Sequence, residues 1–483
     1  MLFNSLQFAV FLPVVLVLYW LLPHRMRWVL LLISSYYFYM SWNVKYVVLI
    51  LFTTVVSYAT ALLLEKTGDI KKRRRLLVWT LVACLGVLFV FKYFNFFSTS
   101  FAEILSAFTP TQVHPLTLKL LLPVGISFYT FQTLSYVIDV YRGDIEAERH
   151  FGYYATFVSF FPQLVAGPIE RTKNLLPQIR QMHTFDEAQA LYGAKLMLWG
   201  FFKKLAIADN LAYYVDRIFS DVYGYSGFSF FLSVFFFSIQ IYCDFSGYSD
   251  IARGTAKLMG IDLMDNFKSP FFSMSVREVW ERWHISLSTW FRDYVYIPLG
   301  GSRNGKMRRN INLMLTFVLS GLWHGANWTY VLWGGVNGLG QIIEERFGIG
   351  KKKPEKAFAR VLQTLAVFVF FVLSTTFFRA QSIAESGYIW MHLLDGITDP
   401  VHYLWKGFAD INMYKEILFG CCVLFFLPLA YYDYIAIKNN KNGVEVLDEK
   451  SKLFQWCFWL LIGLITLFLS PKGVPEDFVY FQF

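Results

Sequence analysis

The sequence predicts an all-α, multi-pass membrane protein, and three observations carry that prediction. The 483 residues are 56% hydrophobic and only 16% charged, where a soluble chain is about a quarter charged. Aromatic residues make up 20% of the chain and Phe alone occurs 51 times. Polar side chains cannot cover that much apolar surface in water, so the bilayer becomes the solvent. The basic residues gather in short loops between apolar runs, as in Lys71-Lys72-Arg73-Arg74-Arg75 and Lys351-Lys352-Lys353, the positive-inside pattern. The net charge of +10 therefore reads as membrane topology. A nucleic-acid binder would cluster its basic residues on a soluble domain instead.

Apolar runs lie near residues 6–22, 28–44, 46–64, 76–97, 117–138, 227–243, 360–379, 415–431 and 453–470. The shorter ones need interfacial aromatics to bridge a hydrocarbon core about 30 Å thick. Residues 189–216 are interrupted by Lys195, Lys203, Lys204 and Asp209, so that stretch spans, lies at the interface, or does both. Met1 to Ser5 carry no basic residue and no small-residue cleavage site follows Leu22, so the first run is expected to stay as an anchor. Counting crossings from an outside N-terminus places Arg25 and Arg27, then 71–75, 142–149 and 438–452, on the cytoplasmic side, with both termini outside. Residues 153–168 are apolar, lie between basic loops and contain Pro162, Gly167 and Pro168, which predicts a re-entrant element. The expectation is one helical domain over residues 1–483, with roughly 10–12 membrane helices in a cell membrane.

Five cysteines (Cys84, Cys243, Cys421, Cys422, Cys457) show no CxxC or Cys/His spacing, so neither a disulfide framework nor a metal site is expected. Cys243 stands next to Asp244, but one thiol and one carboxylate are not a catalytic set. Asp244 and Asp250 bracket an FSGYS turn.

Residues 310–343 contain no Asp, Glu, Lys or Arg, and His324 is the only imidazole among them. As one helix this stretch would run ~50 Å, well beyond the bilayer core. Both flanks are basic, and Gly321 and Gly325 bracket the histidine with Asn327 close behind. A bent or hairpin segment with His324 at depth satisfies these facts. An ionisable group there marks a functional site, or else a neutral histidine bridging two helices. The two glycines favour function, because they let another backbone or a substrate approach closely. Trp323 and Trp328 read as packing or interface residues.

A second histidine has polar company. Over 276–294, apolar residues fall at 276, 280, 283, 287, 290, 291 and 294, a one-faced helical pattern. On that helix His284 sits at the shoulder of the apolar face beside Arg277, Glu281 and Ser288, and the i,i+3 spacing lets Glu281 orient or charge the ring. An interfacial amphipathic helix with a solvated polar face fits the same pattern. The basic loop Gly300–Arg309 that follows suits either donor phosphates or positive-inside topology, and the topology reading is preferred.

At these residues the chain resembles the membrane-bound O-acyltransferases, most closely the bacterial alginate O-acetylation subgroup. The matching stretches are PVGISFYTFQTLSYVIDVYRG (123–143), FFPQLVAGPIERTKNLLPQI (160–179), YCDFSGYSDIARG (242–254), WERWHISLSTWFRDYVYIPLGGSR (280–303), SGLWHGANWTYVLWGG (320–335) and FVYFQF (478–483). The signature core covers about 123–345. The resemblance implies that His324 matches the family's active-site histidine and His284 its second signature position. One departure is Glu281, where the subgroup usually carries a basic residue. The D-alanyl transfer proteins of teichoic acid share WHI and GLWHG-like motifs, while the IPLGGSR loop and the FQF ending favour polysaccharide acylation.

The resemblance also implies a chemistry: an acetyl group leaves a cytoplasmic thioester such as acetyl-CoA and reaches an extracytoplasmic polysaccharide. His324, with an ordinary pKa of about 6.5, suits a general base. His284 is expected to polarise the donor carbonyl or stabilise the oxyanion. No GxSxG elbow is present, so an extracytoplasmic serine-esterase-like (SGNH) acetyltransferase is the expected partner. No bound cofactor and no nucleic acid are expected. The rivals are a D-alanyl or other acyl transferase for teichoic acid or peptidoglycan, a transporter with midplane carboxylates, and a scaffold that only recruits an acetylating enzyme.

The topology is directly testable. In a cysteine-free background, Lys72→Cys and Lys352→Cys should react with a membrane-impermeant maleimide only after permeabilisation, and Asp477→Cys in intact cells. Labelling of Lys72→Cys in intact cells would invert the assignment.

Overall fold

The computed structural model describes all residues except 111, 351–353, 413–419, 421, 472–477 and 480–483, and only the backbone of 422 and 423. The basic run 351–353, residues 415–419 and Cys421 of the apolar run 415–431, and the last four residues of the closing motif thus lie outside the described residues. Among the described residues all regular elements are helical. Among the described residues five helical stretches are long and apolar enough to cross a membrane: Val44–Lys66, Ile70–Phe108, Phe228–Lys257, Ala357–Arg379 and Lys452–Leu469. The chain divides into two compact units, Met1–Ala194 with Ala252–Met264, and Lys195–Ile251 with Asp265–Phe483.

The first unit holds α1 (Leu6–Leu21), α2 (His24–Met40), α3 (Val47–Lys66), α4 (Ile70–Leu88), α5 (Phe94–Phe108), α6 (Ile126–Arg142), α7 (Phe151–Ser159), α8 (Phe161–Leu164) and α9 (Thr172–Arg180). Side-chain caps start several of them: Ser5 Oγ accepts from Phe8 N, and Asp69 Oδ1 from Lys71 N at 2.8 Å. Membrane helices gain little from the hydrophobic effect against each other, so small and polar residues join them. α3 accordingly turns Thr53, Thr54, Ser57 and Thr60 inward. Ser57 Oγ and Tyr154 Oη of α7 share a hydrogen bond of 2.6 Å, and Thr60 and Thr80 of α4 one of 2.7 Å between their hydroxyls.

Two expectations are corrected here and one is sharpened. The apolar run 117–138 is not one helix. Residues 112–122 are irregular, and α6 begins only at Ile126, after Gly125 in a left-handed conformation at φ 73°. Pro115 and Pro123 bias the residues before them to extended backbone, and a Cβ on Gly125 would strike the Leu164 carbonyl. The FSGYS residues do not form a turn, because they lie inside the 30-residue helix Phe228–Lys257. Residues 153–168 are two short helices, α7 and α8, broken at Phe160 ahead of Pro162 and followed by a buried turn.

The second unit explains the interrupted stretch 189–216. It is a single helical run, α10 (Glu187–Phe201), a π-helical segment Phe202–Ala208 and α11 (Asp209–Phe219). The wider π turn carries both Lys203 and Lys204 inward, at 3% and 6% exposure. Each meets the helix that contains the FSGYS residues, α12 (Phe228–Lys257). Lys203 Nζ lies 2.8 Å from Ser246 Oγ and 2.7 Å from Asp250 Oδ2. Lys204 Nζ lies 2.7 Å from Asp244 Oδ1 and 2.8 Å from Asp209 Oδ1. The backbones approach at glycine, since a Cβ on Gly200 would stand 2.6 Å from the Gly247 carbonyl. The remaining helices of this unit are α13 (Val276–Arg282), α14 (Ile285–Phe291), α15 (Gly305–His324), α16 (Trp328–Phe347), α17 (Ala357–Ser374), α18 (Thr376–Arg379), α19 (Ile383–Met391), α20 (Pro400–Asp410), α21 (Leu427–Asn439), α22 (Gly443–Asp448) and α23 (Lys452–Leu469).

Removing one partner of a buried ion pair costs about 3–5 kcal/mol, because the other charge stays desolvated. Lys204→Met should therefore lower the unfolding midpoint of the detergent-solubilised protein markedly. Lys441→Met, which loses only the exposed pair with Glu449, should leave it in place. An unchanged midpoint for Lys204→Met would mean that the buried pair stabilises nothing.

Candidate active site

The uncharged stretch 310–343 folds as the expected hairpin. α15 ends at His324 because Gly325 turns extended, and Asn327 caps α16 by accepting from Thr329 N at 3.0 Å. The two arms touch backbone to backbone. A Cβ on Gly321 would strike the Tyr330 carbonyl, and one on Gly334 the Phe317 carbonyl, so glycine is required at both. This contact places His324 at the bend, 2% exposed. Its ring is walled by Trp323 at 5.0 Å, Trp333 at 5.1 Å and Phe378 at 5.3 Å between centroids.

The fourth neighbour is His284, with its ring centroid 6.2 Å from that of His324. The two signature histidines thus come together within the second unit, far apart in sequence as they are. The helix expected over 276–294 does not carry His284 on its shoulder, however. α13 stops at Arg282, Trp283 is extended, and His284 adopts left-handed backbone at φ 46°, ψ 52° before α14 begins. Glu281 consequently does not reach the imidazole. It pairs instead with Arg277 at 2.9 Å on the exposed surface, and Ser288 Oγ donates to the Trp283 carbonyl.

The break has a physical cause outside the helix. Residues 266–268 run alongside and take the hydrogen bonds that a continuous helix would have used: Lys268 N donates to Arg282 O at 2.9 Å and Ile285 N to Asn266 O at 3.0 Å. Asn266, 1% exposed, also holds the corner with its side chain. Its Oδ1 accepts from Ser286 Oγ at 2.9 Å and Ser286 N at 3.3 Å, and lies 3.1 Å from His284 Nδ1. Its Nδ2 donates to Ser249 Oγ on α12 at 3.2 Å. Sequence reasoning missed Asn266, which sits in no recognisable pattern, and met Ser249 only as the end of the FSGYS stretch. Only the left-handed corner brings the two to the imidazole.

His284 is completely buried and stacks edge-on against Phe245 at 4.5 Å. Burial holds its imidazole well below the ordinary histidine range, so the ring is neutral. α13 is anchored by Glu344 of α16, whose buried carboxylate accepts from Val276 N at 2.7 Å, a favourable place for an anion at a helix N-terminus. The arrangement as a whole is a pair of imidazoles in an aromatic, water-poor surround, suited to moving one proton between oxygen, nitrogen and sulfur atoms. Asp244 and Asp250, the carboxylates that a transporter would present to a cavity, are instead matched to Lys204 and Lys203. Among the described residues no group of three or more His, Cys, Asp or Glu is arranged to hold a metal ion.

Comparison with known proteins identifies the family. Residues 147–382, which include both histidines and Asn266, match the model of the membrane-bound O-acyltransferase family. The chain is 42% identical over 391 residues to the probable alginate O-acetylase AlgI of Pseudomonas syringae pv. tomato, covering 80% of this chain and 74% of that protein. It is 43% identical to the corresponding Pseudomonas aeruginosa protein, covering 79% and 73%. To the peptidoglycan O-acetyltransferase of Helicobacter pylori it is 31% identical, covering 94% and 91%. The chain belongs to the membrane-bound O-acyltransferase family and is a multi-pass membrane acyltransferase.

Proposed function

We propose that this acyltransferase takes an acetyl group from a cytoplasmic thioester, such as acetyl-CoA, and moves it across the membrane for O-acetylation of an extracytoplasmic polysaccharide, with His324 as the base. The observation that carries the reading is the placement of His324 at the bend of a charge-free hairpin, beside a second, neutral imidazole. The named relatives support the acceptor class, since alginate and peptidoglycan are both polysaccharide-based polymers outside the cytoplasm.

A thioester carbonyl is already electrophilic, so the remaining work is to deprotonate and position a hydroxyl. His324 takes the hydroxyl proton as the oxygen attacks the carbonyl carbon. Collapse of the tetrahedral adduct breaks the C–S bond, and the departing thiolate recovers a proton from the imidazolium. General-base assistance of this kind is worth about 10²–10⁴ in rate. The attacking hydroxyl belongs either to a sugar or to an extracytoplasmic serine-esterase-like partner that carries the acetyl on to the polymer.

His324→Ala should leave membrane insertion and yield unchanged while polymer-bound acetate falls by about 10²-fold or more. Purified protein given labelled acetyl-CoA should pass label to an acceptor, and the variant should not. Normal acetylation by His324→Ala would end the proposal, and movement of a lipid-linked sugar with no acyl transfer would favour the transporter.

A further inference from the structure

His284 was expected to polarise the donor carbonyl or stabilise an oxyanion, and either role needs a ring N–H to donate. The hydrogen bonds around Asn266 argue the other way. The backbone N–H of Ser286 can only donate, so the Asn266 side-chain atom facing it at 3.3 Å must be the oxygen. Ser286 Oγ meets the same atom at 2.9 Å, and the amide nitrogen is turned to Ser249 Oγ at 3.2 Å. With the amide so oriented, an oxygen stands 3.1 Å from His284 Nδ1. An oxygen of that kind accepts, so Nδ1 carries the hydrogen. In a neutral imidazole the other nitrogen, Nε2, is then the acceptor.

We infer that Asn266 is a positioning residue that fixes the hydrogen of His284 on Nδ1, so that Nε2 serves as an acceptor toward the protonated His324 and does not donate to an oxyanion. The inference rests on the reading of His324 as the base. When His324 takes the hydroxyl proton it becomes an imidazolium with two N–H groups, one newly formed with the substrate's hydrogen. The other gains from an acceptor, and the His284 ring stands beside it, with Trp323, Trp333 and Phe378 as further walls. The centroid separation of 6.2 Å leaves the nearest ring nitrogens about 4 Å apart when both face one another, a gap closed by a small ring movement or one bridging water. The result is a chain from Asn266 through His284 to His324, in which a neutral imidazole takes the orienting place that a carboxylate fills in a hydrolase triad. Ser249 completes it by holding the amide.

The experiment is nitrogen NMR on full-length protein labelled with ¹⁵N-histidine, with the His284 signals assigned by their loss in His284→Gln. Nδ1 should show the signal of a protonated ring nitrogen and Nε2 that of an unprotonated one at the pH of the assay. A protonated Nε2 with bare Nδ1 overturns the inference, whether or not the protein transfers acetyl. If wild-type protein shows the expected tautomer but passes no acetyl from labelled acetyl-CoA, the transferase reading fails and the acceptor role falls with it, while the tautomer assignment stands.

Kinetics test the consequence. Asn266→Ala should lower kcat about 10–100-fold, the usual cost of losing an orienting partner, with KM for acetyl-CoA little changed. Asn266→Asp keeps an oxygen beside Nδ1 and should recover most of that rate. Its negative charge raises the proton affinity of His284, so Nε2 is protonated, and lost as an acceptor, at a higher pH than in the wild type. The acidic limb of the pH profile should therefore move up. An Asn266→Ala protein that keeps the wild-type His284 signals, or an Asn266→Asp protein with an unmoved acidic limb, would reduce Asn266 to a structural residue.

Discussion

A charge taken out of water must bring its counter-charge with it, and the second unit is organised by that requirement. Lys203 and Lys204 are adjacent in sequence and both buried. The π-helical turn at Phe202–Ala208 supplies the extra residue that turns both inward. Each then finds carboxylates, Asp250 for Lys203, and Asp244 with Asp209 for Lys204. The pairing ties the π segment to α12 where Gly200 and Gly247 let the backbones touch. α12 in turn presents Phe245 and Ser249 to the His284 corner. The two signature histidines thus stand on a frame whose geometry is set by neutralising buried charge.

The proposed reaction draws on the same shortage of water. In it a buried imidazole takes up a proton, and a low dielectric penalises the imidazolium that forms. Aromatic walls of Trp and Phe line the proton's path without competing for the proton. A second imidazole, itself neutral, offers a lone pair without adding another buried charge. That economy explains how a site can handle a proton where a carboxylate partner would need a cation of its own.

Similarity to proteins named for alginate and for peptidoglycan acetylation fits a division of labour. The hairpin, the His284 corner and the paired lysines all lie within or beside the region that matches the family model. Under the proposed function, the choice of polymer belongs to whatever receives the acetyl group outside. An acetyl group is small and carries no information about its destination, so one membrane scaffold can serve different polymers.

Composition and charge placement were enough to establish a helical membrane protein, because no soluble fold can bury a chain that is 56% hydrophobic. The absence of charge over 310–343, with glycines beside one histidine, was enough to predict a hairpin with His324 at its bend, since a single helix would overrun the bilayer. Local patterns failed where the partner is remote in sequence. The periodicity of 276–294 described one helix and pointed to Glu281, yet hydrogen bonds from residues 266–268 opened the chain at Trp283 and turned His284 away from that glutamate. The interruption at Lys203 and Lys204 looked like a flaw in an apolar run until carboxylates on α12 and α11 made it an ion-paired core. Periodicity reports which face of an isolated element is apolar. Which polar groups are then satisfied, and by whom, is decided only when distant segments meet.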